Sequence, residues 1–478
     1  MMNHAAQKGS ASSEEIMSRL LSWFSGVEIK EPVYLVGGCV RDILMGNRAS
    51  DLDLASPRAE SLARELARAN WASMVRMEKA PKAPCYRVVR RNDPDNFLDV
   101  TGLRGPDIES DLKDRDFTIN AMAITFDGIG FGQIVDPLSG RKDIANKCIR
   151  AVSLNNLEDD PLRILRGYRF AAQLGFAIDP ESLKNFSIAA PGLFKTASER
   201  VIKEIMLILA SPESFGQILS MDLAGVLRMV FPDLNILKGV GQNEYHHQDV
   251  WSHTLSVFGR LEAIVSDPGA WFGESSGKVL EYLEKAHNLP VLKLAALFHD
   301  AGKPRARAVK PDTGAVTFYG HEKFGAEMVR GEATQLRMSK ADLGLWELLV
   351  AEHLHAEDLL KDDVKEKTIL SWFRKMGEHA VSALILAMAD AASKEGLKSP
   401  AEARQKRMER ASGMIRSYYG SIQKRLEMKP LVTGGDLLAL GLAPGPEVGR
   451  LLAQVQDACD EGRIVTREEA LALAKSLL

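Results

Sequence analysis

The chain has 478 residues, of which 45% are hydrophobic, and its formal net charge is −3. This length exceeds one ordinary hydrophobic core, so we expect several domains. No run of about 18 apolar residues occurs and the N-terminus has no apolar leader, so we expect neither a membrane span nor a signal peptide. The weak net charge argues against a non-specific nucleic-acid coat but is compatible with an enzyme that has a local basic patch.

The predicted elements divide the chain into a mixed N-terminal part and a helical remainder. Apolar spacing predicts a helix over residues 13–25 and strands near 33–36, 51–54, 86–90 and 97–101. From about residue 150, apolar residues recur at helical spacing almost to the end, interrupted by predicted loops at 267–277 and 310–314. We therefore predict an α+β protein, with a small head of mixed sheet and helices followed by a long all-α body.

A glycine pair, Gly37-Gly38, follows the first predicted strand and precedes a predicted helix that carries Arg41. Two glycines at such a junction let the backbone approach a phosphate closely, and Arg41 and the following N–H groups can bind a triphosphate. The alternative interpretation is an ordinary tight turn.

Two aspartates, Asp51 and Asp53, alternate with leucines in the second predicted strand. Side chains two residues apart on a strand share a face, so both carboxylates point to one place. Such a pair repels unless a cation lies between its members, and paired Mg²⁺ ions can activate an attacking hydroxyl and stabilise leaving pyrophosphate. The alternative is an exposed acidic strand edge.

A Gly-Gly turn followed 13 residues later by D-x-D is more specific than either element. Here the chain resembles the polymerase-β-like nucleotidyltransferases, in particular bacterial tRNA nucleotidyltransferases and class II poly(A) polymerases. The resemblance covers about residues 33–205. Its further motifs are RRDFTINAMA at 114–123, DPxxGxxDL at 136–144, EDPLRxLRxxRF at 159–170 and ERxxxE at 199–204.

The resemblance implies a role for each matching residue. Asp51 and Asp53 become catalytic metal ligands for Mg²⁺, and Asp99 is either a third catalytic carboxylate or an ordinary strand-face aspartate. The implied nucleotide-binding residues are Gly37, Gly38, Arg41, Arg115, Asp116, Asn120, Asp160, Arg163 and Arg166. Asp160 and Arg163 are expected to read the base from adjacent positions on one helix, unless they form a surface ion pair.

The chain departs from the family pattern at two motif positions and in one loop. Asp114 replaces the first arginine of RRD, and Asp159 replaces the glutamate of ED. The segment between the strand at 97–101 and Asp116 is short, whereas relatives that add the whole CCA usually have a longer flexible loop there. An enzyme that adds only CC is therefore an alternative.

The helical body contains a second motif set in the order H…HD…H…H…D, which resembles the HD phosphohydrolase family. Its members are His253, His299, Asp300, His321, His353 and Asp390. Imidazole and carboxylate ligands suit divalent transition metals, and the implied activity is hydrolysis of phosphate esters. A domain that serves only as a scaffold is the alternative.

Residues 401–430 are rich in basic side chains and include Tyr418 and Tyr419. The basic residues are Arg404, Lys406, Arg407, Arg410, Arg416, Lys424, Arg425 and Lys429. Such a stretch can hold an RNA backbone, although a solvated helix face is an equal alternative.

We predict four domains from these patterns: a nucleotidyltransferase head (1–150), a helical neck for base recognition (151–230), an HD metal-binding domain (231–400) and a tRNA-binding tail (401–478). The expected function is addition of C and/or A to the tRNA 3′ end from CTP and ATP, with the tRNA acceptor arm along body and tail. The alternatives are a poly(A) polymerase and an HD enzyme with a relic head. Four cysteines without CxxC pairing predict reduced thiols in the cytoplasm.

Overall fold

A computed structural model describes residues 13–47, 51–77, 83–242, 248–285, 287–394, 400–427, 430–460 and 463–478. Its α-helices are α1 (Ser13–Phe24), α2 (Gly38–Leu44), α3 (Ala59–Ala69), α4 (Ile108–Lys113), α5 (Gly140–Ala145), α6 (Leu154–Asp159), α7 (Leu162–Leu174), α8 (Pro180–Ala189), α9 (Ser198–Ala210), α10 (Phe215–Leu223), α11 (Leu227–Val230), α12 (Val250–Ser266), α13 (Pro268–Phe272), α14 (Ser276–Glu284), α15 (Asn288–Phe298), α16 (Lys303–Ala306), α17 (His321–Gln335), α18 (Lys340–Asp358), α19 (Glu366–Met376), α20 (Ala380–Ser393), α21 (Ala401–Ser417), α22 (Gln423–Glu427), α23 (Gly434–Ala439), α24 (Pro446–Asp460) and α25 (Arg467–Leu477). Its strands are β1 (Val33–Val36), β2 (Asp53–Ala55), β3 (Ala72–Met77), β4 (Cys85–Arg90), β5 (Asp93–Thr101), β6 (Ala123–Phe126), β7 (Phe131–Val135), β8 (Cys148–Ile149), β9 (Ala177–Ile178), β10 (Ala308–Val309) and β11 (Val316–Thr317).

The head is built on a mixed seven-stranded sheet with the order β3-β4-β5-β2-β1-β6-β7. Strands β2 and β5 pair in parallel, and the other described pairs of this sheet are antiparallel. The register places Asp53 opposite Asp99 and Leu35 opposite Leu54. The centre of the sheet therefore brings the second aspartate of the D-x-D motif beside the carboxylate predicted on the fifth strand.

The two faces of the central strands belong to different cores because side chains alternate along a strand. Leu35 and Leu54 pack in a large apolar cluster with the buried side chains of α1 and α3. Their neighbours Val36 and Ala55 pack on the other face, with Leu112 of α4. Asp53 alternates with Leu54, so it shares the second face.

The chain separates into two compact units. The first contains Met1–Glu204 and Ser220–Val230, and the second contains Ile205–Leu219 and Phe231–Leu478. The division into four domains proposed from the sequence stays a prediction.

The second unit is a helical bundle arranged around α20. This helix is buried along almost its whole length, which fits its apolar sequence on every side. Helices α12, α15 and α18 pack beside it. Helix α12 carries His253, α18 carries His353, and His299-Asp300 directly follows α15. A small separate core near the C-terminus joins α23, α24 and α25, with Leu437, Leu451 and Ala470 at its centre.

The predicted α+β architecture is confirmed, but one of the predicted loops is wrong. The segment 267–277, predicted as a loop, contains α13, a short 3₁₀ segment at Gly273–Ser275 and the start of α14. The glycines and prolines suggested a loop, but Pro268 occupies the first helical turn, where a missing N–H costs nothing. Among the described helices, none combines the length and apolar character that crossing a bilayer requires.

Candidate active site in the head and candidate metal centre in the body

The glycine pair at the end of β1 forms the predicted strand-to-helix junction. Gly37 has φ +78°, a conformation that favours glycine. A Cβ atom there would lie 3.1 Å from Nη1 of Arg115 and 3.7 Å from Oδ2 of Asp53. Glycine therefore allows the backbone to lie directly against two predicted site residues.

A cavity of about 370 Å³ in the first unit collects all nine predicted nucleotide-binding residues. It is lined by Gly37, Gly38, Arg41, Asp53, Arg104, Arg115, Asp116, Asn120, Asp160, Arg163, Arg166, Phe170 and Arg200. Six of these residues are arginines and three are aspartates, so the wall carries excess positive charge. Such a wall suits a polyanionic ligand such as a triphosphate.

Buried partners hold these arginines in place. Arg166 donates from Nε and Nη2 to Oδ2 of Asp116, at 2.9 and 2.7 Å. Burial raises the pKa of Asp116, but the Arg166 guanidinium outweighs burial and lowers the pKa to about 2. Arg115 is held in the same way by the buried Asp111, at 2.9 Å, and Arg41 donates to Asn120 at 2.9 Å. The donors are thus oriented before any ligand arrives.

The three predicted catalytic carboxylates occupy different environments. Asp53 lies on β2 in the cavity wall, and burial followed by the nearby Asp99 charge raises its pKa to about 6. Asp51 is exposed and precedes the strand, although its charge also raises the pKa of Asp53. The expectation that both D-x-D aspartates lie on one strand is therefore wrong, since β2 begins at Asp53.

Asp99 is bound by an arginine that the sequence did not bring to attention. Arg87 lies opposite Asp99 across β4 and β5 and donates to both carboxylate oxygens, at 2.8 and 2.7 Å. The guanidinium also stacks over the Phe97 ring, 4.1 Å from its centroid. With both oxygens engaged, Asp99 is less suited than Asp53 to bind a metal ion.

Asp160 and Arg163 both line the cavity, but they are not on one helix. Asp160 ends α6 with extended backbone angles, and Arg163 lies in the first turn of α7. The expected helical i, i+3 pairing is therefore wrong, because Pro161 separates the two helices. Asp160 instead accepts a hydrogen bond from Nη2 of Arg200 at 3.0 Å.

Three cavity residues had no predicted role: Arg104, Phe170 and Arg200. Phe170 and Arg200 belong to recognised motifs, so the motif matches could have indicated them. Arg104 comes from the short segment after β5, and burial followed by the charge of Arg115 lowers its pKa. No local pattern marks Arg104, since its place depends on how that segment folds over the cavity.

The six predicted HD ligands are all buried in the second unit, where they form two groups of three. The groups are His253, His299 and Asp390, and Asp300, His321 and His353. Within each group the ligand atoms lie within 4.8 Å of one another. The two groups adjoin, since Asp300 Oδ2 lies 3.2 Å from His299 Nε2. The structure thus brings together every residue of this motif set.

Backbone carbonyls orient three of the four histidines. In each, Nδ1 lies within hydrogen-bond distance of the carbonyl oxygen three residues earlier. The distances are 2.9 Å from His299 to Ala296, 2.8 Å from His321 to Phe318 and 2.7 Å from His353 to Val350. A carbonyl only accepts, so Nδ1 carries a proton in each ring, and Nε2 is the nitrogen left to bind a metal ion at the centre.

The distances between these Nε2 atoms and the neighbouring carboxylate show whether a metal ion fits at the centre. His321 Nε2 lies 3.1 Å from His353 Nε2 and 3.2 Å from Asp300 Oδ1. Burial and the charges of His321 and His299 lower the pKa of His353 to about 3, which keeps this ring neutral. The neutral His353 nitrogen and the His321 nitrogen that faces it, beside the Asp300 carboxylate, form a donor set that suits a divalent transition metal.

Two lysines contact the carboxylates of this centre. Lys303 Nζ lies 2.7 Å from Asp300, and Lys394 Nζ lies 2.9 Å from Asp390. Both lysines follow their aspartates at helical spacing, three and four residues later, so sequence reasoning could have identified them. Asp390 also contacts His253 at 3.1 Å. Burial raises the pKa of the Asp390 carboxyl, but its contacts with Lys394 and His253 outweigh burial and lower the pKa well below its usual value.

Most described cations of the basic stretch at 401–430 have partners inside the second unit. The contacts are Arg404 to the Lys394 carbonyl, Lys406 to Asp362, Arg407 to Glu357, Arg416 to the Trp271 carbonyl and Arg425 to the Asp460 carbonyl. Lys429 lies outside the described residues. RNA binding by this stretch stays a prediction, and the pairing favours the alternative of a helix face integrated into the bundle.

Comparison with known proteins identifies the class. Residues 33–150 match the family model "Poly A polymerase head domain", 175–237 "Probable RNA and SrmB- binding site of polymerase A", and 250–395 "HD domain". With the seven-stranded head and its arginine-rich cavity, these matches define a nucleotidyltransferase joined to an HD domain.

Full-length relatives then specify the family. An A-adding tRNA nucleotidyltransferase of Deinococcus radiodurans is 31% identical over 447 residues, covering 92% of this chain and 94% of the relative. A CC-adding tRNA nucleotidyltransferase of Thermus thermophilus is 33% identical over 446 residues, covering 91% and 92%. The chain belongs to the tRNA nucleotidyltransferase family, which confirms the resemblance deduced from the motifs.

A solved structure supports the fold independently. The CCA-adding enzyme of Thermotoga maritima, solved in complex with tRNA, has a TM-score of 0.61 to this chain at 20% identity. The alignment covers 97% of this chain and 96% of that protein. The shared architecture therefore extends over both units.

Proposed function

We propose that this protein adds C and/or A residues to the 3′ end of tRNA, with CTP and ATP as nucleotide donors. The observation that carries the proposal is the head cavity, where Asp53 faces an arginine-rich wall beside Asp160 and Arg163. A nucleoside triphosphate bound there would have its phosphates among the arginines and its base near a carboxylate and a guanidinium.

Each part of the cavity has a chemical task in this proposal. Arg41, Arg115 and Arg166 bind the triphosphate, because a guanidinium donates two parallel hydrogen bonds to phosphate oxygens. Asp160 accepts from the exocyclic amine that C and A share, and Arg163 donates to ring acceptors. Side chains thus select the base in place of a nucleic-acid template.

Asp53, with Asp51 nearby, would hold Mg²⁺ in the head. The raised pKa of Asp53 fits this assignment, since a buried carboxylate beside other acids is stabilised as an anion by a bound cation. When bound there, Mg²⁺ would supply activation of the tRNA 3′-hydroxyl and stabilisation of the leaving pyrophosphate. Asp99 adds a negative charge beside Asp53 rather than binding the ion, because Arg87 donates hydrogen bonds to both of its carboxylate oxygens.

The relatives support tRNA over a general RNA tail as acceptor, because both full-length relatives are tRNA nucleotidyltransferases. They differ in the nucleotide for which they are named, one adding A and the other CC. This difference makes the nucleotide the first quantity to measure. A tRNA substrate and four cysteines without disulfides support a cytoplasmic location.

The test is incubation of the protein with three tRNAs that end before CCA, after the first C and after CC, each with CTP, ATP, GTP or UTP alone. The proposal predicts incorporation of C, A or both, ending at or before the complete CCA. A long A tail would identify a poly(A) polymerase instead. No incorporation with any combination would overturn the proposal.

A second function is supported by the assembled HD ligands. We propose that the second unit binds a divalent transition metal and hydrolyses phosphate esters, with His299, Asp300 and His353 among the ligands. The bound metal would supply an activated water as nucleophile. Titration of Mn²⁺, Co²⁺ or Ni²⁺ into metal-free protein, followed by a phosphate-release assay, tests this proposal. Absence of metal binding, or of hydrolysis by the loaded protein, would reject it.

A further inference from the structure

Phe170 is an aromatic side chain in the wall of the head cavity that has no task in the proposed function. Its ring lies among three guanidinium groups. The Cζ atoms of Arg41, Arg166 and Arg169 are 5.3, 5.4 and 4.3 Å from the ring centroid. At such distances an arginine is attracted to the electron-rich face of an aromatic ring. Arg41 and Arg166 share the cavity wall with Phe170, so one ring contacts two of the arginines assigned to the triphosphate.

We propose that Phe170 is a positioning residue for nucleotide binding, whose ring holds the guanidinium groups of Arg41 and Arg166 in place for the triphosphate. This inference rests on the proposed function of the head and adds a residue to it. Phe170 acts through the two arginines, and the ligand stays a nucleoside triphosphate.

The charge of the cavity wall explains why an aromatic ring suits this task. Guanidinium groups gathered in one wall repel each other before a ligand binds. A carboxylate offsets the repulsion but also cancels positive charge, as Asp116 does for Arg166 at 2.7 Å. An aromatic ring attracts cations through its quadrupole and has no net charge. Phe170 therefore stabilises the arrangement without reducing the net positive charge that the phosphates encounter.

The two ring contacts connect two helices of the first unit. Arg166 and Phe170 are four residues apart on α7, so they lie on one face of that helix. Arg41 lies on α2, after the glycine junction, and Asn120 accepts a hydrogen bond from its Nη1 at 2.9 Å. Phe170 thus contacts one arginine that is its helical neighbour and one that only the tertiary fold brings to it.

Arg169 lies nearest to the ring but has other partners. It is absent from the cavity wall that the described residues form. Glu204 accepts a hydrogen bond from its Nε at 2.6 Å, and Gln173 accepts one from its Nη1 at 3.0 Å. These partners hold Arg169 outside the wall, so we assign it no contact with the nucleotide.

The Phe170 ring is itself fixed by an aromatic cluster. Phe170 is 6% exposed and meets Phe117 edge to face, with the ring centroids 5.8 Å apart. Phe117 also meets Phe186, at 6.3 Å. Gly167 makes room for both rings, because a Cβ atom there would lie 2.8 Å from Phe117 and 2.6 Å from Phe186. A ring packed in this way has a defined orientation, as a support for two cations requires.

The test replaces Phe170 in the full chain by phenylalanine that carries one, two or three ring fluorines. Each fluorine withdraws electron density from the ring face and weakens its attraction for cations, while the size of the side chain changes little. Calorimetric titration with CTP and Mg²⁺, without tRNA, gives the dissociation constant. We expect this constant to rise at each step, by about tenfold in total, because both arginines are held less firmly.

The same fluorine series at Phe186 is the matched control. Phe186 is fully buried and packs on Phe117 and Tyr168, and no cation lies over its ring among the residues that the structure describes. Its replacement should leave the dissociation constant of CTP within about twofold of the parent, because the packing of the cluster is nearly unchanged.

Two ordinary substitutions separate positioning from a structural role. Phe170→Tyr keeps the ring face and should keep CTP affinity within about threefold, whereas Phe170→Leu removes the face and should weaken CTP at least about tenfold. The incorporation rate at saturating CTP should change by less than about threefold in both. A purely structural role would lower this rate and the melting temperature together. Because Phe170→Leu can leave a void in the cluster, the fluorine series decides if that variant is unstable.

The positioning role and the proposed function of the head can fail separately. If the unmodified chain binds CTP but incorporates neither C nor A into tRNA, the proposed function is wrong, and the fluorine series still tests Phe170. If incorporation occurs but the Phe170 and Phe186 series give equal CTP affinities, the positioning role is overturned. Absence of CTP binding to the unmodified chain would overturn both.

Discussion

The two candidate metal sites of this protein differ in how many of their ligands the fold brings together. In the body, all six HD ligands are buried, and three of the histidines are oriented by backbone carbonyls. In the head, no comparable group of three close ligands occurs among the described residues. Asp53 faces a cavity of oriented arginines instead.

This difference shows how much of each site exists before a ligand binds. The HD centre has its donors assembled, as a site that retains its metal requires. In the proposed function the oriented arginines of the head bind a triphosphate, and Mg²⁺ commonly binds through one or two carboxylates together with substrate phosphates. On this proposal, substrate phosphates complete the metal site of the head, whereas the fold alone assembles the metal site of the body. The following predictions test this distinction.

The largest effect is expected for Asp53→Asn, which removes the carboxylate in the cavity wall. We expect nucleotide incorporation to fall by about 10³-fold, because the metal loses its principal protein ligand. Single-turnover incorporation into tRNA measures this change. Asp95→Asn, at an exposed position of β5, is the matched control. Activity of Asp53→Asn within tenfold of the parent would remove Asp53 from the catalytic centre.

The HD centre should respond to loss of one ligand by losing its metal. We expect His353→Ala to weaken Mn²⁺ binding by more than about 100-fold, since its Nε2 adjoins both Asp300 and His321. Calorimetric titration gives the affinity. His287→Ala is the control, because this exposed histidine pairs with Asp342 on the surface. Equal affinity in the two variants would contradict a preassembled metal centre.

Arg163→Ala tests base recognition in the head. We expect CTP and ATP incorporation to fall by about 10- to 100-fold, and the preference over GTP and UTP to shrink, because one base-reading donor is lost. Rates with the four nucleotides separately measure both effects. Arg141→Ala, which changes an exposed arginine of the same unit, should leave the preference intact. A uniform loss for all four nucleotides would assign Arg163 to phosphate binding.

Glu332 is a buried acid on α17 that forms no ion pair with any described cation, in contrast to Asp300 and Asp390, which lysines contact. Its Oε2 atom makes no hydrogen bond to any described residue, and burial followed by the Asp233 charge raises its pKa from 4.5 to about 7. Because the pKa of Glu332 is higher in the folded state than in the unfolded state, its protonated form contributes stability that is fully present below pH 4.5. This contribution is lost as the pH rises through 7, where the buried carboxyl ionises.

Glu332→Gln should therefore stabilise the protein by about 2 kcal/mol at pH 8.5 and change little at pH 4.5. Urea unfolding at the two pH values measures this difference. Glu327→Gln, at an exposed position of the same helix, should have no such pH dependence. An equal change at both pH values would show that the charge of Glu332 is not responsible.

The smallest effect is expected for Asp99→Asn. Because both oxygens of Asp99 are engaged by Arg87, we expect incorporation to fall by less than about tenfold. The Mg²⁺ concentration for half-maximal rate should stay within about threefold of the parent. A loss as large as that of Asp53→Asn would favour the first of the two interpretations of Asp99, a third catalytic carboxylate, over an ordinary strand-face aspartate.

Much of this molecule follows from the linear order of its residues. The strand before Gly37, the helical periodicity after residue 150 and the ordered motifs lead to the fold class and the family, because hydrophobic period and turn chemistry are local properties. The HD ligands and their order along the chain are also evident from the sequence alone. The doublet His299-Asp300 and the apolar runs that precede His299 and His353 are recognisable without coordinates.

The exact partners of the catalytic carboxylates depend instead on distant segments. Arg87 reaches Asp99 through strand register, and Arg104 enters the cavity from a short irregular segment. Asp160 leaves the helix because of Pro161, and Glu357 joins Lys394 to Arg407 across three elements. Register, loop path and side-chain burial come from packing of the whole chain, and no local window of residues contains that information.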